Sequence, residues 1–140
     1  MQNTLTTALN FDLSPIINQV TKVYNWETEY VTRVAEEYVK FMIIRFNKSD
    51  ASPSMAIDNF WHQHILNTKH YAKFCNVCFN RFIHHRPEDA VDQEAQRRRL
   101  ENTLSEYKQL YAVYYPPIIW IDAFYGSLGP TGATGPTGPC

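Results

Sequence analysis

Downstream of Asn25 the positions Val31, Val34, Ala35, Tyr38, Phe41, Met42, Arg45 and Phe46 recur at three- and four-residue spacing, the pattern of one face of an α-helix packed on a core. Prolines fall between such runs rather than inside them, and so act as punctuation. Ser14 followed by Pro15 predicts an N-cap and a first-turn proline, opening a short helix that reaches about Tyr24. Asn25 is expected to cap the helix that carries the stripe. After a loop from Asn47 to Pro53, Ser54 predicts the start of a third helix through about Asn67, and Thr68 a fourth that runs to about His84. Pro87, Glu88 and Asp89 are expected to open a fifth. On it Leu100, Leu104, Tyr107, Tyr111 and Tyr114 step by four, three, four and three, a heptad-like seam suited to bundle packing or to association between chains. Pro116 and Pro117 end that helix, and the apolar run Ile118, Ile119, Trp120, Ile121, leading to Phe124 and Tyr125, predicts a short strand or packed extension. The expected head is all-α, a bundle of about five helices over residues 1–125.

The pattern changes completely after Tyr125. The chain has five glycines, and they are Gly126, Gly129, Gly132, Gly135 and Gly138, all in one phase of three. A collagen triple helix requires this repeat because only glycine fits where three chains crowd the axis, whereas a flexible linker has no reason to keep the phase. Residues 126–140 are therefore expected to form a collagen-like segment. Fifteen such residues span only about 45 Å, too short to hold three chains together unaided. Trimerisation by the head, or continuation of the stalk, is expected to supply the rest. Pro130, Pro136 and Pro139 sit at the second triplet position and threonines at the third, which leaves no site for third-position hydroxyproline and favours a bacterial or viral maker. Cys140 is a candidate for an interchain disulfide between parallel tails.

Composition narrows the function classes. Thirteen Lys and Arg against fourteen Asp and Glu give a formal net charge of -1 over 140 residues, so no global field draws the chain to nucleic acid or anionic lipid. The Arg97, Arg98, Arg99 run is flanked by Asp92, Glu94 and Glu101 and reads as a solvated, salt-bridged helix face. No run approaches the roughly 20 apolar residues of a membrane span, and Met1 to Leu13 lacks the basic-then-apolar order of a signal peptide. Three cysteines, Cys75, Cys78 and Cys140, do not make a disulfide framework.

Candidate chemistry is confined to one window. All five histidines, His62, His64, His70, His84 and His85, fall between Asp58 and His85 together with Cys75 and Cys78. Imidazole and thiolate are the usual ligands of zinc and related divalent ions, and His62, His64, Cys75 and His85 are the candidate set, with Cys78 and His84 as further donors. Helical geometry opposes part of it, because His62 and His64 point about 200° apart on one helix. The alternative is that Trp61, His64, Ile65, Tyr71, Phe74, Cys75, Cys78 and Phe79 are the core of a helix hairpin, with imidazoles hydrogen-bonded to backbone or to Asp58. Enzyme templates are missing: there is no glycine-rich phosphate loop, no Gly-x-Ser-x-Gly elbow and no His-Glu-x-x-His helix. A Cys75 and histidine nucleophile pair is the one catalytic arrangement the residues leave open.

The run from Asp58 through Trp61, His62, His64 and Thr68, then Tyr71, Cys75 and the stretch Phe82 to Pro87, resembles the signature of the glycine-rich domain-containing protein-like family. Tyr107 and the Pro117 to Trp120 segment are similar to that family's closing element. The resemblance implies a mostly helical domain without a transferable catalytic activity, and marks Trp61, His62, His64, Tyr71 and Cys75.

The expected function is structural rather than enzymatic. A helical head trimerises or anchors a collagen-like stalk of a surface fibre or particle, a virion or spore assembled in cytoplasm, with other copies of the chain and the particle as partners. A metal-binding module or metal-dependent enzyme using the cluster 62–85 is the alternative, and a ligand-binding fibre tip a third.

Overall fold

The computed structural model describes residues 2–86 and 92–121. The expectations that fall on Pro87 to Asp89, on Phe124 and Tyr125, on the glycine triplets and on Cys140 lie outside the described residues. Within them the chain is all-helical: α1 (Gln2–Asn10), α2 (Ser14–Tyr24), α3 (Thr28–Asn47), α4 (Met55–Leu66), α5 (Thr68–Phe79), α6 (Gln93–Tyr111) and α7 (Ile118–Ile121). Seven helices replace the expected five or so. The added ones are α1, whose Ala8 is buried in the common core, and α7, where a strand or extension was expected.

Helix α3 is the central element, packed against α1, α2, α4 and α6. This placement explains why its buried set is wider than one stripe, since Val39, Ile43 and Ile44 join Val31, Val34, Tyr38, Phe41 and Met42. The remaining helices close around it, with α5 against α1 and α4, and α7 against α4. A single cluster of buried side chains runs from Ala8 to Trp120.

The helix ends have local causes. Asp12, rather than Ser14, supplies the acceptor that opens α2, taking hydrogen bonds from the Ser14 amide (3.0 Å) and hydroxyl (2.6 Å). Asn25 closes α2 in the left-handed region (φ 56°) instead of opening α3, which starts from an extended Glu27. Ser54 caps α4 as expected, its hydroxyl accepting from the Ile57 amide at 3.3 Å. Helix α5 stops at Phe79 because Asn80 turns left-handed (φ 58°), so residues 81–86 run back over α3 and α4 outside any helix. Two arginines fasten this return. Arg45 donates to the carbonyls of Ala51 and His84, each at 3.1 Å, and Arg81 donates to the carbonyl of Phe46 while stacking on its ring at 4.2 Å.

Helix α6 is capped by Asp92, whose carboxylate accepts from the Ala95 amide at 2.9 Å. Arg97 and Arg98 are exposed on it, as a solvated face requires. Leu100, Leu104 and Tyr107 of the seam are buried against the chain's own core, and Tyr111, partly buried, donates to the Lys40 carbonyl at 3.0 Å. Tyr114 does not continue the seam, because Ala112 ends α6 in the left-handed region (φ 55°). Beneath this helix the buried Glu37 collects two donors on one oxygen, the Tyr107 hydroxyl and the Trp120 indole N–H (3.0 Å), with Lys40 3.8 Å from its other oxygen. That carboxylate joins α3, α6 and α7 at one point.

Two outcomes follow. Glu37→Ala strands two buried donors and is expected to cost about 2–4 kcal/mol in urea unfolding, whereas Glu37→Gln, which keeps an acceptor oxygen, costs about 1 kcal/mol. Equal losses in the two variants would contradict the role given to that oxygen. Ala112→Gly is expected to raise stability by about 0.5–1 kcal/mol, since glycine adopts the left-handed cap without the Cβ clash; a loss of stability would show that the turn is not strained.

Candidate functional site

The histidine and cysteine window folds as a hairpin of α4 and α5 joined only by Asn67, with α3 behind it. Asn67 holds the turn by donating to Gln19 Oε1 (2.7 Å) and to the Gln63 carbonyl (3.1 Å). The two histidines of α4 part as helical geometry requires: His64 faces inward and is fully buried, His62 is half-buried.

Both ring nitrogens of His64 are occupied. Tyr38 Oη from α3 lies 2.7 Å from Nδ1, and His70 Nδ1 from α5 lies 2.8 Å from Nε2. His70 Nε2 in turn lies 3.0 Å from the carbonyl of Asp12 between α1 and α2. Donor and acceptor roles follow from that last contact. A carbonyl only accepts, so His70 Nε2 carries a proton, and the neutral ring then accepts at Nδ1. His64 Nε2–H therefore donates to His70, and Tyr38 O–H donates to His64 Nδ1. One directional chain, Tyr38 to His64 to His70 to Asp12, ties α3, α4 and α5 to the turn between α1 and α2. Removal from water, with His70 adding to it, drives the His64 pKa down from 6.5 to about 3.

A second chain lies beside it. Trp61 Nε1–H donates to Tyr71 Oη at 3.0 Å, and Tyr71 O–H donates to the Ile83 carbonyl, pinning the segment after α5. Burial pushes the Tyr71 and Tyr38 hydroxyls above their ordinary range, so both remain protonated donors. His85 covers the Trp61 ring (centroids 4.2 Å apart) and reaches Asp58 Oδ1 at 2.8 Å, and the Arg45 guanidinium lies over the same indole at 5.3 Å.

Cys75 and Cys78 share the inner face of α5, both buried as free thiols. Burial raises both pKa values, that of Cys78 to about 11, so near neutrality both side chains are thiols. Of the four residues expected as a metal set, His64 belongs to the first chain, Cys75 lies within the α5 core face, His85 pairs with Asp58, and His62 stands on the opposite side of α4 from His64. Among the described residues, no three His, Cys, Asp or Glu side chains converge as a metal-binding group. Tyr38 and His70 are the members that sequence spacing did not single out for chemistry. His70 lies in the same window, yet its role depends on Asp12, 58 residues away.

The His64 assignment makes stability depend on pH. Its native pKa lies below its ordinary value, so between pH 6.5 and about 3 the unfolded chain holds a proton that the native chain refuses. This contribution is complete above pH 6.5 and is lost as pH falls toward 3. Unfolding free energy from urea titrations is expected to fall by about 2 kcal/mol from pH 7 to pH 5 through this residue, and His64→Leu should flatten that slope. An equally steep slope in the variant would refute the assignment.

Three comparisons bear on identity. No curated protein and no solved structure matches the chain. The model of one family, described as UCP032817-like, matches residues 7–106. This corrects the expected glycine-rich domain-containing protein-like membership. Trp61, His64, Tyr71 and Cys75 are spaced as they are because all four fill the core of one helix hairpin, a packing pattern that does not single out that family. With a match that runs from Thr7 to Glu106 of a 140-residue chain and takes in α2 to α5 and most of α6, the chain belongs to the UCP032817-like family.

Proposed function

We propose that this chain is a structural protein of assembly, a helical head over residues 1–125 that carries a collagen-like stalk on a fibre or particle such as a virion or spore, with further copies of itself as first partners. The observation that carries the reading is the glycine phase: every glycine in the chain stands at 126, 129, 132, 135 or 138, where a triple helix would place it on the axis. The head suits this work. Several of its inward polar groups pair with one another, with His64 between Tyr38 and His70, Glu37 between Tyr107 and Trp120, and His85 on Asp58. Such interlocking makes a mount that resists distortion when a stalk pulls on it.

The test is the mass of the full chain in reducing buffer, measured by light scattering alongside circular dichroism. Three times the 16.3 kDa chain mass is expected, with a polyproline-type band that melts cooperatively and melts lower in Gly132→Ala. A 16.3 kDa monomer without that band would overturn the reading.

A further inference from the structure

Of the heptad-like seam, Leu100, Leu104 and Tyr107 are consumed inside the head and Tyr111 is largely so, which leaves the question of what three heads would touch. The answer lies just past the end of α6. Tyr114, Tyr115 and Ile118 are 80%, 75% and 69% exposed, three large apolar side chains within five residues. The two tyrosine rings pack edge to face with centroids 4.6 Å apart. Other exposed apolar residues, such as Leu9, Val23, Leu66 and Val77, stand singly on different helices.

The patch sits on a firm mount. On one side the Val113 amide returns to the Lys108 carbonyl (3.2 Å) across the left-handed turn at Ala112. On the other, the Trp120 amide bonds the Pro117 carbonyl (2.9 Å), and the buried Trp120 indole is held by Glu37. Tyrosines presented on fixed backbone offer large contact area at small entropic cost, the character of interface anchors.

Chain reach identifies the occupant. Gly126, the first glycine of the triplets, follows Ile121 by five residues, which extend to about 18 Å at most. Tails wound on a common axis would thus hold the patches of all copies close to that axis and close to one another. Parallel chains present the same patch in the same sense, so a ring of equivalent contacts closes after three copies. The tether raises the effective concentration of patches to the millimolar range, where even a small apolar contact is populated. We infer that Tyr114, Tyr115 and Ile118 form the surface through which three copies of this head meet at the root of the stalk, an inference that rests on the stalk reading above.

The experiment uses the full chain and compares wild type with Y114E/Y115E/I118E. These side chains are exposed, so the helical far-ultraviolet signal should be unchanged, and Tyr115→Ala alone provides a milder second variant. Light scattering over a dilution series is expected to place trimer dissociation at a concentration at least tenfold higher in the triple variant, and at an intermediate one in Tyr115→Ala. A wild-type trimer matched by both variants at every dilution would overturn the patch and leave the stalk standing. A wild-type monomer throughout would overturn both.

Discussion

A neutral imidazole sealed from water must find a donor for one nitrogen and an acceptor for the other, and in this head that requirement organises the fold. His64 is fully buried in the last turn of α4, and its two needs are met from α3 by Tyr38 and from α5 by His70. His70 then needs an acceptor of its own and finds it at the α1–α2 corner, in the Asp12 carbonyl. The polarity of the whole chain is set at that carbonyl, because it can only accept. The same corner opens α2, since the Asp12 carboxylate caps Ser14. Reversing any one link would face two donors or two acceptors, so the helices are held in register as well as in contact.

The other half of the head repeats the device with a carboxylate. Glu37, one turn before Lys40 on α3, takes the Tyr107 hydroxyl and the Trp120 indole onto one oxygen, and so brings α6 and the single-turn α7 onto the central helix. A four-residue helix has no stability of its own; Trp120 and Ile119 are held by burial and by this bond. Apolar contact supplies most of the driving force for folding, and these two polar nodes choose among the many ways in which apolar helices can pack.

Much of this was legible in the residues, for reasons that can be named. The α3 stripe, the Ser54 cap and the hairpin of α4 and α5 follow from local periodicity and capping, as does the divergence of His62 from His64. Local rules failed where two outcomes share one signal. Asn25 serves either end of a helix, and the run of Ile118 to Ile121 is apolar on every side and carries no period that separates strand from helix. Helix α1, with three threonines and few apolar residues, is identified by its packing on α3 and α5 rather than by its own pattern. The end of the seam at Tyr111 is not legible, because alanine does not advertise a left-handed turn. The partners of His64 were hidden for a different reason: Tyr38 is 26 residues away, and spacing carries no information about contacts made across helices.

Among the clustered histidines, His64 and His70 hydrogen-bond to each other and His85 to Asp58, so that these rings link separate parts of the chain. The most direct test of that account is the protonation of the two histidines in the intact chain, read from nitrogen-15 correlation spectra of the rings at pH 7. Both His64 and His70 are expected with the proton on Nε2 and a bare Nδ1, each in a single tautomer. A His64 ring protonated at Nδ1, protonated on both nitrogens, or exchanging between tautomers would contradict it.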